Sequence, residues 1–317
     1  MHSKIYPHVI SNIIAQYIVE PRLCLRAEVN ASLLDTYEIS RLPEAMDYLS
    51  DNQHMIDWYA ISSNPSSGAL DLIESNLDKV YWRGLCRNTN PRAIELIKLY
   101  PHKIHPAVLS ENPSAVEFLS QNPQYISWPD LCANTKAMDL IAANLDKPLN
   151  WSILSGNPGM VPILEKNRHK IDTYGLLLNT GAIDLIKEFI DDIPDSAWCL
   201  LNYNSAATEL LRNNPDKIHW STLHAYSDNL DIIEKNIEMV DWSLISESPH
   251  AITLLEKYKS KFDKISICSN PMAMHLILPL TGDKRIYESL SRNPSIFVPD
   301  ACQYRREINE IIEILNL

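Results

Sequence analysis

The chain has 317 residues, 45% of them apolar, with a formal net charge of −12 and a pI of about 5.3. This acidity argues against a general polyanion-binding protein, because phosphate contacts require local positive charge. The apolar stretch from Val9 to Val19 lacks the basic lead and the cleavage site of a signal peptide, and no run is long enough to cross a bilayer. We therefore expect a soluble protein in the cytoplasm or in a larger assembly.

Residues 1–35 do not share the pattern that follows them, and we expect them to form an N-terminal helical cap. Their apolar residues show helical spacing at first and continue as leucines: Tyr6, Pro7, Val9, Ile10, Ile13, Ile14, Tyr17, Leu23, Leu25, Leu33 and Leu34. The segment faintly resembles an F-box, a resemblance that implies docking to a ubiquitin-ligase adaptor. We favour the cap, because the exposed ends of repeat arrays need covering.

Residues 36–300 repeat one pattern at steps of 22 to 24 residues, seen best from Asn112 to Trp128. A degenerate copy at Thr36 is expected to start the array, since terminal units are atypical. The other copies align on one position: Trp58, Trp82, Pro106, Trp128, Trp151, Thr173, Ser196, Trp220, Trp242, Lys264 and Tyr287.

A column of asparagines stands six residues after the aligned position. It comprises Asn64, Asn88, Asn112, Asn134, Asn157, Asn179, Asn202, Asn270 and Asn293, with Tyr226 and Ser248 as the exceptions. Asn followed by Pro, as at Asn112, is typical of an N-cap and the first helical residue. The pattern predicts a helix here, helix A, whose buried stripe includes Ala115 and Leu119.

Helix A is predicted to end at a second asparagine, such as Asn76 or Asn122, a residue type that tolerates the left-handed conformation. A short connection then leads to helix B, which an N-cap such as Asp57 precedes and which carries the aligned position. Each pair of helices is too small to bury its own apolar face, so the copies must stack. The sequence therefore predicts an all-α protein, an α-solenoid of about eleven to twelve two-helix repeats, closed by a capping helix at residues 301–317.

Two further columns admit a structural and a functional interpretation. We interpret the tryptophans as a partly buried stack between copies and not as a platform for bases. Six lysines stand three residues before the aligned position: Lys79, Lys103, Lys170, Lys217, Lys261 and Lys284. They either face the C-terminal dipole of helix A or form a row that binds phosphates or an acidic partner. They are the candidate partner-binding residues of the sequence.

The cysteines and histidines do not predict a disulfide or a metal site. Cys86, Cys132 and Cys268 fall where other copies have serine, which indicates a small buried position. The remaining three, Cys24, Cys199 and Cys302, lack zinc-site spacing. We expect reduced thiols in an intracellular compartment and no metal or other cofactor.

No catalytic role is expected from the sequence. Dinucleotide, P-loop and hydrolase motifs are missing, and polar residues recur as columns, whereas an active site needs unlike groups that converge. The repeat, as it stands in Asn112 to Asn134, resembles short repeats encoded in many copies by giant nucleocytoplasmic DNA viruses. The resemblance implies a viral product in the host cytoplasm or in the particle.

The expected function is a non-enzymatic protein-binding scaffold. The alternatives are a structural component of a virus particle or other large assembly, an F-box-like adaptor, and an RNA-binding solenoid that uses the lysine row.

Overall fold

The computed structural model of the chain describes residues 21–226 and 229–315. Within these ranges the protein is mostly helical, with one two-stranded sheet, which confirms the all-α prediction. Most of the proposed F-box-like segment, residues 1–20, lies outside the described residues. In the described part of the predicted cap, Leu23–Leu25 is a strand, β1, and Ala31–Leu33 is a 3-10 turn. No described helix combines the length and apolar character needed to span a membrane.

Within the described residues helix B occurs twelve times, and we number the copies of the repeat by these helices in chain order. Its bounds are Thr36–Arg41, Trp58–Ile61, Trp82–Arg87, Pro106–Glu111, Trp128–Leu131, Trp151–Gly156, Thr173–Leu178, Asp195–Tyr203, Trp220–Thr222, Trp242–Glu247, Ser266–Ser269 and Tyr287–Leu290. Copies 8, 9 and 11 have 3-10 geometry here, and a 3-10 turn, Lys284–Ile286, precedes the last. Asp57 caps helix B of copy 2 as predicted, because its carboxylate accepts the Ala60 N–H at 2.8 Å.

Helix A follows helix B in copies 1 to 11. Its α-helical bounds are Met46–Asp51, Ser67–Glu74, Pro91–Leu99, Val116–Gln121, Met138–Ala142, Val161–Lys166, Ile183–Glu188, Thr208–Asn213, Leu230–Lys235, Ile252–Lys257 and Met274–Ile277. Several of these helices adjoin a 3-10 turn: Pro43–Ala45, Pro113–Ala115, Pro158–Met160, Ser205–Ala207, Pro249–Ala251 and Leu278–Leu280. In copy 12, Pro294–Ile296 is followed by a strand, β2, at Phe297–Pro299, and then by the terminal helix Ala301–Leu315.

Short 3-10 turns also connect helix A to the next helix B. They are Gln53–Met55, Leu77–Lys79, Pro101–Lys103, Pro123–Tyr125, Arg168–Lys170, Ile190–Asp192 and Pro215–Lys217. The second asparagines stand before several of them, and the left-handed conformation suggested for these residues is wrong: φ is −141° at Asn76 and −131° at Asn122. Each amide instead donates to the carbonyl four residues earlier, as Asn122 does to Phe118 at 2.9 Å. The side-chain N–H thus takes the place of the backbone N–H that would bond to this carbonyl if the helix continued.

The first asparagine column forms a buried ladder between copies. The Asn112 Oδ1 accepts the Ser114 N–H at 2.9 Å, which is the predicted cap. Its Nδ2 donates to the carbonyls of Cys86 and Asn88 in the preceding copy, at 2.9 and 2.8 Å. The same three bonds recur at Asn88, Asn134, Asn179, Asn270 and Asn293. One side chain therefore caps a helix and joins two copies.

Copy 8 is shifted by two residues from the predicted alignment. Asn204 occupies the ladder there, because its Nδ2 donates to the carbonyls of Leu177 and Asn179 at 2.9 and 3.2 Å. The aligned position is therefore Trp198, which is 4% exposed, and the choice of Ser196 and Asn202 was wrong. The spacing misled because the connection before Trp198 is longer than in the other copies.

Copies 8 to 10 are joined by substitutes for the ladder. Asn202 donates to the His219 carbonyl at 2.6 Å, although its own Oδ1 is buried and has no hydrogen-bond partner among the described residues. Ser248 donates to the Ala225 carbonyl at 2.7 Å. The two departures from asparagine, at Tyr226 and Ser248, therefore leave the copies connected through other polar groups.

A serine column makes a second link between copies. The Ser62 Oγ donates to the Trp58 carbonyl at 2.7 Å and accepts the Tyr81 N–H of the next copy at 3.0 Å. The same acceptor role is taken by Ser40, Ser110, Ser155 and Ser246. Cys86 and Cys132 stand in this column and accept the N–H groups of His105 and Asn150. The small position predicted for these cysteines is thus a hydrogen-bonding position.

The serine column continues from the last copy to the first. Ser291 of copy 12 accepts the Asp35 N–H at 2.8 Å and donates to the Tyr287 carbonyl at 2.5 Å. Ser62 makes the same two bonds, one within copy 2 and one to copy 3. The first and last copies are therefore neighbours, and the contacts between copies form a closed circuit.

The strands β1 and β2 join the same two ends. They pair antiparallel, with Cys24 opposite Val298. Close by, the Arg292 Nε lies 2.9 Å from the Glu38 Oε1, and the Arg292 side chain also pairs with Glu288. The sequence did not predict this junction, because it joins residues from opposite ends of the described chain, which local spacing does not relate.

Candidate interaction surface

Four of the six candidate lysines are held by contacts within the array. The Lys79 Nζ lies 4.9 Å from the centroid of the Trp58 ring, and the Lys170 Nζ lies 4.7 Å from that of Trp151. Lys217 pairs with Asp195 at 2.5 Å and lowers the pKa of its carboxyl group, and Lys261 contacts both oxygens of Glu238 at 2.6 Å. These ammonium groups are engaged by the protein itself.

The other two candidate lysines are exposed and lie apart in the fold. Lys103 ends the turn Pro101–Lys103, whereas Lys284 begins the turn Lys284–Ile286. Neither makes an ion pair or an aromatic contact with another described residue. The structure therefore does not gather the six lysines into one site.

The tryptophans of the aligned position are half-buried, which confirms the partial burial predicted for them. Trp58, Trp82, Trp128, Trp151, Trp220 and Trp242 all pack against the hydrophobic core. Trp82 also contacts the Tyr100 ring at a centroid distance of 4.8 Å. Their rings do not form an exposed platform.

The exposed aromatic column consists of tyrosines, which the sequence analysis did not single out. Tyr37, Tyr59 and Tyr81 come from three consecutive copies and are 38%, 54% and 37% exposed. The centroid distances are 6.1 Å between the first two rings and 4.4 Å between the last two. The Arg41 guanidinium lies 5.7 Å from the Tyr37 ring. A tyrosine directly after the aligned position, as in Tyr37 and Tyr59, was the signal available in the sequence.

A pocket of about 590 Å³ opens on helix B of copies 6 and 7. Its walls include the exposed side chains of Ile153, Tyr174 and Leu178. Gly175 lies against the preceding helix B, where a Cβ atom would come within 2.3 Å of the Ser152 carbonyl oxygen. The glycine lets two helix B backbones approach closely. The sequence analysis did not predict a pocket at this place.

The described cysteines are free thiols. Cys86, Cys132 and Cys268 are buried, and Cys24 and Cys199 are partly exposed. Burial raises the pKa of Cys86 and Cys132, and it raises the pKa of Cys268 to about 12. Among the described residues there is no cluster of three or more histidine, cysteine, aspartate or glutamate side chains that would hold a metal ion.

Comparison of the chain with protein-family models, with curated proteins and with solved structures gives no match.

Proposed function

We propose that the protein is a non-enzymatic scaffold, built as a closed solenoid, that binds other proteins on its helix B surface. The observation that carries the proposal is the exposed apolar surface on this row of helices, at Tyr37, Tyr59 and Tyr81 and again around Tyr174 and Leu178. Exposed apolar patches on otherwise polar surfaces are typical of protein-binding sites.

The helix B row is the inner row of the proposed ring. Helix B segments pack directly against each other in most pairs of consecutive copies, whereas helix A segments of consecutive copies make fewer mutual contacts. The close approach at Gly175 lies on the same row. In a closed ring the more tightly spaced row lies on the shorter, inner circumference. The tyrosine column and the pocket would then face a common central space.

The resemblance of the repeat to those of giant nucleocytoplasmic DNA viruses supports a viral product that acts in the host cytoplasm or in the virion. A structural role in a large assembly is an alternative within the same proposal, because lattice contacts would also use exposed apolar patches. An RNA-binding role receives less support, since internal contacts engage Lys79, Lys170, Lys217 and Lys261.

Site-specific crosslinking tests the proposal. Benzoylphenylalanine replaces Tyr59 or Tyr174 on helix B, and in a control it replaces Leu99, which is 73% exposed at the end of helix A. In cells that contain the protein's natural partners, we expect the two helix B positions to crosslink to a protein that the Leu99 position does not capture. Crosslinking from all three positions alike, or from Leu99 alone, would contradict the proposal. Capture of capsid protein would favour the role in a large assembly.

A further inference from the structure

Two copies place one of their own lysines on the face of a tryptophan. The Lys79 Nζ lies 4.9 Å from the Trp58 ring centroid and donates to the Asn76 Oδ1 at 3.1 Å. Lys170 stands in the same relation to Trp151, at 4.7 Å, and also follows an asparagine, Asn167, by three residues. An ammonium group over an indole ring is attracted by the negative face of the ring. The repeat therefore contains a binding arrangement whose natural occupant is an ammonium group.

Copy 9 keeps the ring and the asparagine but has no lysine at this position. Trp220 is the aligned tryptophan, and Asn236 follows helix A as Asn76 does in copy 2. Three residues after Asn236 stands Met239, whose side chain is 56% exposed. The Asn236 Nδ2 donates to the Ile232 carbonyl at 2.9 Å, as the Asn76 Nδ2 donates to Leu72. The Asn236 side chain is therefore held in the same way as the Asn76 side chain, whose Oδ1 accepts from Lys79.

A pocket of about 490 Å³ lies over this arrangement in copy 9. Its lining combines the Trp220 ring and the Asn236 amide with apolar side chains, with two cations, Arg212 and Lys235, and with two carboxylates, Asp216 and Asp231. An apolar floor with an aromatic ring and carboxylates at its rim is suited to a side chain that carries a cation at the end of an aliphatic chain.

The two cations at the rim share one carboxylate. Arg212 donates to the Asp231 Oδ1 at 2.9 Å, and the Lys235 Nζ lies 3.9 Å from the Asp231 Oδ2. Asp216 is exposed and makes no ion pair with any other described residue. Its carboxylate is therefore available to a further cation in the pocket.

We propose that this pocket binds an ammonium group of a partner, a lysine or methylated lysine side chain, against Trp220, Asn236 and Asp216. The ligand class follows from copy 2, where the equivalent ring and amide, Trp58 and Asn76, hold the ammonium group of the chain's own Lys79. The inference rests on the proposed scaffold function in one respect, that the ammonium group comes from a protein partner. The site itself can be tested independently of that function.

The test follows the Trp220 ring in the full-length protein labelled with 5-fluorotryptophan, with Trp220→Phe to assign its resonance. The probes are the N-acetyl amide of trimethyllysine and, as a neutral control, the N-acetyl amide of norleucine. We expect a saturable shift of the Trp220 resonance with the cationic probe alone. Met239→Lys supplies an internal ammonium and should weaken binding by about tenfold or more. Met239→Gln, similar in size and uncharged, should bind as the native protein does.

Equal shifts with both probes, or no shift of the Trp220 resonance, would overturn the site. Equal binding by the Met239→Lys and Met239→Gln proteins would overturn it as well, because the internal lysine would then not compete. These outcomes leave the scaffold function intact, since they use small probes. If the titration is saturable but the crosslinking experiment fails, the scaffold function is contradicted and the ammonium site is retained.

Discussion

The Asp35 N–H donates to the Ser291 Oγ at 2.8 Å, and this bond reproduces across the two ends of the array the bond from the Asp57 N–H to the Ser40 Oγ at 2.9 Å. An open stack of repeats leaves an apolar face uncovered at each end. The bond at Ser291 instead gives copies 1 and 12 the neighbours that every inner copy has. The two ends therefore stabilise each other.

Removal of the Ser291 hydroxyl should destabilise the whole array. Ser291→Ala leaves the part-buried Asp35 N–H without an acceptor, and we expect a loss of about 0.5–1.5 kcal/mol in the free energy of unfolding. Urea unfolding followed by circular dichroism measures this loss. Ser291→Cys is the matched control, because Cys86 and Cys132 serve the same column, and it should lose less. Equal stability of the alanine variant and the native protein would show that the bond between the ends contributes nothing.

The asparagine ladder should be more sensitive than the asparagines that end helix A. Asn112→Ala removes two donors to carbonyls of the preceding copy and one cap, so we expect a loss of at least about 2 kcal/mol in the free energy of unfolding. Asn76→Ala removes a bond to Leu72 within one copy and should cost less than about 1 kcal/mol. Urea unfolding of both variants compares them, and a larger loss at Asn76 would contradict the ladder as the main polar link.

The buried thiols should resist alkylation in the folded protein. Burial raises the pKa of Cys268 to about 12, so its thiolate is scarce at pH 8.5, where an unfolded cysteine is about half ionised. Iodoacetamide followed by mass spectrometry should modify Cys24 and Cys199 first and Cys86, Cys132 and Cys268 only on unfolding. Modification of Cys268 as fast as Cys199 would contradict the burial.

The same shift has a consequence for stability against pH. Because the folded pKa of Cys268 lies above the unfolded value, its contribution is complete below about pH 8.5 and is lost as the pH rises toward 12. Cys268→Ser should therefore make the free energy of unfolding fall less steeply above about pH 9. An unchanged slope in urea unfolding across this range would count against the shift.

The lysines should act mainly within the fold. Lys79→Met removes an ammonium group from the Trp58 ring and should cost about 0.5–1 kcal/mol in the free energy of unfolding, whereas Lys103→Met should change it by less than about 0.5 kcal/mol. Chemical unfolding measures both. We also measure retention of the protein on single-stranded RNA at several salt concentrations. Charge reversal at Lys79, Lys103 and Lys170 should not abolish a salt-sensitive retention, because we expect the native protein to show none. Such retention would restore the lysine row as a binding site.

The repeat pattern predicted what depends on local spacing and missed what depends on contacts between distant residues. Asn112 as a cap and the half-buried Trp58 follow from helical periodicity, which the sequence displays directly. The donation from the Asn112 amide to the preceding copy requires the distance between copies, which a sequence does not contain. The predicted alignment of copy 8 was wrong because a longer connection shifts the spacing before Trp198, although the sequence does contain a tryptophan at that position.

The surface features were missed for a related reason. The exposure of Tyr59 and the pocket beside Gly175 depend on how closely consecutive helix B segments approach. Periodicity identifies the side of a helix that is buried, but it does not give the spacing of neighbouring helices. The junction of β1 with β2 joins residues that are far apart in the sequence, so a pattern of local spacing does not predict it.

A disulfide across that junction tests the closed array most directly. Cys24 lies opposite Val298 in the antiparallel pair, where Cα atoms are about 5.5 Å apart or closer, a distance that a disulfide spans. The Val298→Cys protein, with Cys199 and Cys302 replaced by serine, is oxidised and examined by non-reducing electrophoresis and peptide mapping. In the control protein, Leu145 is replaced by cysteine in place of Val298, and Cys199 and Cys302 are again replaced by serine. Residue 145 lies far from the junction along the circuit of copies. We predict an intramolecular bond between residues 24 and 298 in nearly all molecules, with native circular dichroism. Absence of that bond in the folded Val298→Cys protein, or equal bonding of Cys24 to residue 145, would contradict the closed array.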